Sequence, residues 1–185
     1  MEKQLLSALL LLGVLGTIPP AWTQESAPAN PTEAAADPEA QLKAQLQQLL
    51  ARGQQQNRDR QSQQAISAFK QVLGLSQPLG YQDMTAAALI GLGRSYLLLD
   101  KPQEAIRYFG QAAPVFRKMN NRPGEASTFY SLGASYHRLG DRNQARDYFN
   151  QALELYRQAE DRSGESAALS QLRALDRPNP TVSQP

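Results

Sequence analysis

The chain has 185 residues, enough for one domain with a real core and too few for two full ones. Its 19 Lys and Arg against 17 Asp and Glu leave a net charge of +2, and the absence of cysteine excludes disulfides, thiolate nucleophiles and cysteine-type zinc sites. The charge is uneven: residues 1–41 carry five acids and one Lys, whereas 42–122 carry eleven basic side chains and four acids, which reads either as a solvated Arg-rich surface or as a face for an acidic partner.

Residues 1–23 read as an export signal. Lys3 and the amino terminus precede an apolar run of 14 residues, Leu5 to Ile18, and Pro19-Pro20 ends it. That run is shorter than the ~20 residues a helix needs to cross a bilayer, and it matches the apolar region of a signal peptide. Ala21-Trp22-Thr23 allows cleavage before Gln24; the alternative is an uncleaved membrane anchor over residues 5–18. Either way the bulk of the chain is expected outside the cytoplasmic membrane, periplasmic or extracellular. Residues 24–38 are Pro/Ala-rich with no large apolar side chain, so they are expected to be a disordered linker, and 176–185, with three prolines, a disordered tail.

Residues 39–175 between them are expected to form one helical domain, and its middle is written twice. At an offset of 40, Leu92-Gly93 falls on Leu132-Gly133, Ser95-Tyr96 on Ser135-Tyr136, Ala105 on Ala145, Tyr108-Phe109 on Tyr148-Phe149, and Gln111-Ala112 on Gln151-Ala152. Leu89, Leu92, Gly93 and Tyr96 stand at i, i+3, i+4 and i+7, as do Phe129, Leu132, Gly133 and Tyr136, the stripe of an amphipathic helix. A second helix follows each time, with Asp100 and Asp141 placed to cap it and Pro102 in a first turn. Gly93 and Gly133 are expected to let the partner helix approach, with Ala105 and Ala145 opposite and the aromatic rings filling either side. A degenerate copy precedes: Leu49, Gly53, Ala65, Ile66 and Phe69 stand 40 residues before Leu89, Gly93, Ala105, Ile106 and Phe109. There Arg52 and Gln56 replace Leu and Tyr, which predicts a polar outer face. A helix from about Ser163 to Leu175 has the features of a first helix without a second and is expected to cover the last apolar face.

The motifs Leu89-x2-Leu92-Gly93-x2-Tyr96 with Ala105-x3-Phe109, and Phe129-x2-Leu132-Gly133-x2-Tyr136 with Ala145-x3-Phe149, resemble the tetratricopeptide repeat (TPR) family. The period of 40 rather than 34 resembles its longer-repeat branch. The resemblance implies an all-α, right-handed superhelical solenoid of antiparallel helix hairpins, about three repeats plus a C-terminal capping helix. Pro114 inside a second helix predicts a kink or an early stop there.

Catalytic chemistry is not evident. His137 is the only histidine, no Ser stands in a nucleophile elbow, and no phosphate loop follows a strand. No enzyme activity, cofactor, metal or small-molecule substrate is expected. No nucleic acid is expected either, since no aromatic–basic strip of the RNA-binding kind is present. What the resemblance implies is binding of a peptide or protein on the concave face lined by the first helices. In that register the groove holds Leu50, Gln54, Asn57 and Arg58, then Ile90, Arg94 and Leu97, then Tyr130, Ala134, His137 and Arg138. Three arginines around an apolar floor suit a partner that is acidic or carries a free carboxylate. Some TPR-like chaperone cofactors hold a C-terminal carboxylate with a Lys/Asn/Arg clamp; Leu50, Gln54, Gly91 and Ser131 at the matching positions depart from that pattern. The expected role is an exported interaction scaffold of a bacterial cell envelope; the alternative is a membrane-tethered subunit that self-associates through convex or end surfaces.

Overall fold

A computed structural model describes residues 37–177; the expected signal segment, nearly all of the linker and the tail from 178 onward lie outside them. Among the described residues seven helices follow one another: α1 (Pro38–Arg58), α2 (Ser62–Leu79), α3 (Gln82–Leu98), α4 (Pro102–Lys118), α5 (Arg122–Leu139), α6 (Arg142–Gln158) and α7 (Arg162–Asp176). No strand occurs among the described residues. The helical region therefore opens at Pro38, at a first-turn position capped by Asp37, and runs one residue past Leu175.

From α2 onward the helices begin at 62, 82, 102, 122, 142 and 162, an interval of twenty. Each preceding corner is built the same way. Arg60, Gly80, Asp100, Asn120, Gly140 and Glu160 all take the left-handed conformation, φ between 54° and 88°. At each corner the left-handed N–H returns to a carbonyl three residues back and the next N–H to one five back, as in Gly140 to His137 and Asp141 to Tyr136. This pair of bonds satisfies carbonyls that the ending helix leaves open. Glycine enters this conformation at no steric cost, which suits Gly80 and Gly140.

The corner geometry corrects one expectation. Asp100 occupies the left-handed position itself, so the capping position falls on Lys101, which makes no side-chain cap bond. Asn121, Asp141 and Asp161, in the equivalent place, each accept a backbone N–H through Oδ1. Lys101→Asp is accordingly expected to stabilise the fold by about 0.5–1 kcal/mol, read as a raised urea midpoint, and Asp141→Ala to destabilise it by about 1 kcal/mol. The expected early stop at Pro114 is also corrected: α4 runs on to Lys118. Packing of Ala112, Ala113 and Phe116 on either side of that proline holds the helix together.

The glycines meet rings, not methyl groups. A Cβ on Gly93 would stand 2.5 Å from Phe109 Cε1, one on Gly133 2.7 Å from Phe149 Cδ1, and one on Gly53 2.8 Å from Phe69 Cε1. Ala105 and Ala145 are fully buried, but the aromatic side chain one turn further on fills the opening. Between hairpins the device recurs, with Gly91 against Phe69, Gly124 against Phe116 and Gly164 against Tyr156. Phe69, Phe109 and Phe149 are each buried to within 1%. The 53, 93, 133 series ends in α7, where the exposed Arg173 takes the glycine place.

Helices pack against their neighbours in the chain, with α1 also touching α3. The outcome is an all-α solenoid of three hairpins whose last apolar face is closed by α7: Leu175 is buried with Ala145 and Phe149, and Leu172 packs on them. At the other end the outer face of α1 is polar, with Gln47, Gln48, Arg52 and Gln55 exposed. Gln56, expected on that face, is instead buried, turned inward by the helical phase it shares with Gly53.

Candidate functional site

The first helices of the hairpins, α1, α3 and α5, lie side by side, and a groove of about 800 Å³ runs across them. Its walls include Gln54, Asn57 and Arg58 from α1, Ile90, Arg94, Leu97 and Leu98 from α3, and Ala134 and Arg138 from α5. Ile90, Leu97 and Ala134 form an apolar floor, and Leu98 is 56% exposed on it. The rings of Phe69 and Phe116 reach the same space from the second helices. Phe69 arrives there because Gly91 has no side chain to cover it.

The three arginines differ in how they are held. Arg58 donates through Nε and Nη2 to Gln55 Oε1, at 3.0 and 2.7 Å. Arg138 donates through Nη1 to the Leu97 carbonyl at 2.5 Å, tying α5 to the C-terminal end of α3, where a cation is also favoured by the helix dipole. Arg94 stands between them, exposed, and makes no hydrogen bond or ion pair among the described residues. Among the described residues no acidic side chain lines the groove. Asn57 has a structural contact as well: its Oδ1 lies 2.9 Å from Ser95 Oγ, whose hydroxyl is also 2.8 Å from the Gly91 carbonyl.

Of the residues placed here by register, Asn57, Arg58, Ile90, Arg94, Leu97, Ala134 and Arg138 line the groove, together with Gln54. Three do not. Leu50 is half-buried, packed against the cluster that holds Ile66, Phe69 and Leu89 and against the one that holds Leu42, Leu46 and Val72. Tyr130 turns its ring onto Phe149, with centroids 5.4 Å apart, and packs on the cluster of Ala145, Phe149 and Leu175 that Leu172 of α7 also covers. His137 is exposed in the last turn of α5, outside the groove lining. Leu98, Ala87 and Ser127 belong to the site and were not singled out. The rows 87, 90, 94, 97 on α3 and 127, 134, 138 on α5 carry the i, i+3/i+4, i+7 signal that finds two of them.

A smaller depression of about 570 Å³ lies along α7, bordered by Arg162, Arg173 and Arg177; its Glu165 is engaged by Arg157 at 2.9 Å. Among the described residues no three His, Cys, Asp or Glu gather as a metal site, and no helix is long and apolar enough to cross a membrane.

Comparison with known proteins bears on the same region. The tetratricopeptide repeat family model matches residues 42–118 and 119–172. The TPR domain of Arabidopsis FLU superposes with a TM-score of 0.60 at 25% identity, covering 64% of this chain and 98% of that one. Nearly identical TPR-like repeats from a Podosopora anserina protein described as a kinesin light chain superpose with a TM-score of 0.61. Their identities are 17% and 16%, and they cover 71% of this chain, which spans 65% of theirs. The second likeness is one of fold alone. No curated protein matches the sequence.

Proposed function

The chain belongs to the tetratricopeptide repeat family, a fold of generally non-catalytic interaction scaffolds, and from that premise we propose that it is an exported scaffold capturing an acidic peptide or protein segment in the α1–α3–α5 groove. The observation that carries the reading is the charge of the lining: three arginines, no acid, and an exposed apolar floor. Arg94 is the cation left for the partner's carboxylate, because Arg58 and Arg138 are already engaged. Ile90, Leu97 and Leu98 take the apolar side chains flanking it. The twenty-residue interval between helix starts supports placement in the longer-repeat branch of the family. Residues 1–23 support a cell-envelope location, released after cleavage near Gln24.

Selection from a displayed library of random peptides tests the groove. Acidic peptides with an adjacent large apolar residue are expected to be enriched, and Arg94→Glu is expected to weaken them by at least about tenfold, or about 1.4 kcal/mol. Helix content should be unchanged, since Arg94 is exposed. Enrichment of basic peptides, or equal binding by the variant, overturns the groove reading. Mass spectrometry of the native N-terminus tests export: a first residue at or near Gln24 supports release, and an intact Met1 supports the tethered alternative.

A further inference from the structure

At the end of the groove away from Leu98, the lining holds the half-buried ring of Phe116 with Ala87 of α3 and Ser127 of α5. The ring rests on Gly124 in the first turn of α5, where a Cβ would overlap it. Both neighbouring side chains are short. The Ser127 hydroxyl donates back to the Gly124 carbonyl at 3.0 Å, so it needs no partner from a ligand. This recess occurs once among the described residues. Forty residues earlier the place of the ring is Ser76, hydrogen-bonded to Thr85 at 2.9 Å; forty later it is Tyr156, which is buried.

Ala87 and Arg94 are two turns apart on α3, which sets the recess about 10 Å from the cation along the helix. Leu97 and Leu98 lie on the other side of Arg94. A polyproline-II segment rises about 3.1 Å per residue with three residues per turn, so residues i and i+3 span about 9 Å and share a face. In a β-strand, residues three apart point to opposite faces. A helix about 10 Å wide, running the roughly 16 Å from Ala87 to Leu98, occupies about 1,250 Å³. That is more than the 800 Å³ of the groove.

Resting on the peptide reading above, we infer that this recess is the specificity site of the groove. Its occupant is an extended, polyproline-II-like segment of another protein. That segment carries a large apolar residue three positions from the acid that meets Arg94, on the side away from the residue seated on Leu97 and Leu98. The acid follows from the charge of the lining, and the spacing follows from α3. A large side chain covers the open part of the Phe116 ring and is itself removed from water; an alanine at that place leaves the ring wet.

The test is fluorescence polarisation of labelled peptides with the full chain. The probes are Leu-Glu-Pro-Ser-Phe and its reversed sequence, the same two with Ala for Phe, and the same two with Phe moved next to Glu. The better of the two directions is expected to bind at least about tenfold tighter than its alanine counterpart and than its shifted counterpart. Ala87→Gln brings to α3 the side chain that α1 carries at the same place, Gln47, and should bring the Phe and Ala peptides level. Ser127→Gln repeats that measurement from the facing helix should the first variant fail to fold. Arg94→Glu should weaken both peptides. Equal binding of the Phe and Ala peptides, or of the shifted one, to the unmodified chain overturns the recess and leaves the groove reading standing. Absence of binding by every peptide overturns both. Tighter binding of a helix-forming peptide with Glu and Phe seven apart overturns the extended register.

Discussion

Gly93→Ala is expected to destabilise the protein by about 1–3 kcal/mol, whereas Gly110→Ala is expected to stabilise it by up to about 1 kcal/mol. Both glycines sit in helix interiors, where alanine is intrinsically the better residue, so propensity alone gives the two changes the same sign. What separates them is the surroundings. The new Cβ at 93 would lie 2.5–2.7 Å from three atoms of the Phe109 ring, and that ring is fully buried, with no space into which to swing. At 110 nothing lies within 4 Å. Urea unfolding of the two variants beside the parent reads the difference directly, and a common sign for both would sink the claim that the ring–glycine contact holds α3 against α4. Gly74, also helical and also open, is the second control and should follow Gly110.

Deleting α7 is the second large change, and its effect is expected to be local. Ala168 and Leu175 are buried, and Leu169 and Leu172 half-buried, against α5 and α6. Gly164 holds the ring of Tyr156. Losing these contacts re-exposes several apolar side chains at about 1.5–3 kcal/mol each, so a cost of about 5 kcal/mol or more falls on the third hairpin. It also removes the bonds by which Arg142 donates to the Leu175 and Arg177 carbonyls and Arg146 pairs with Asp176. Because each hairpin touches only its neighbours, α1 to α4 should survive. Hydrogen exchange of a chain ending at Asp161 should show protection lost over 122–158 and kept over 38–118. Uniform loss across the chain would show instead that the array unfolds as one unit.

The hairpin architecture was legible because the same apolar spacings recur at a fixed offset, and a stripe at that spacing has to be buried. Depth across a seam was not. Spacing puts Gly93 and Ala105 on facing helices, but whether the glycine meets a methyl or the ring one turn later depends on the relative rise of the two helices. Asp100 shows the same limit along the chain, since a shift of one residue separates a capping position from a left-handed corner. Most of the groove followed from the register, and two of its three exceptions, Tyr130 and His137, lie in α5. Ile90 and Tyr130 occupy equivalent places, but the longer tyrosine ring reaches across its hairpin and settles on Phe149, whereas Ile90 stays in the lining. Gln56 escaped for a related reason: its polarity suggested solvent, while its phase beside Gly53 places it inside.

Arg173 carries a consequence for how such a gene could lengthen. A second copy of residues 122–161 inserted in frame between Asn121 and Arg122 would keep one Gly124 on Phe116 and set the other on Tyr156, as Gly164 sits now. A second helix like α6 added after α7 would bring its phenylalanine onto the Arg173 side chain instead of an open backbone. Tandem expansion is thus tolerated in the middle of the array and refused at its tail until that arginine becomes a glycine.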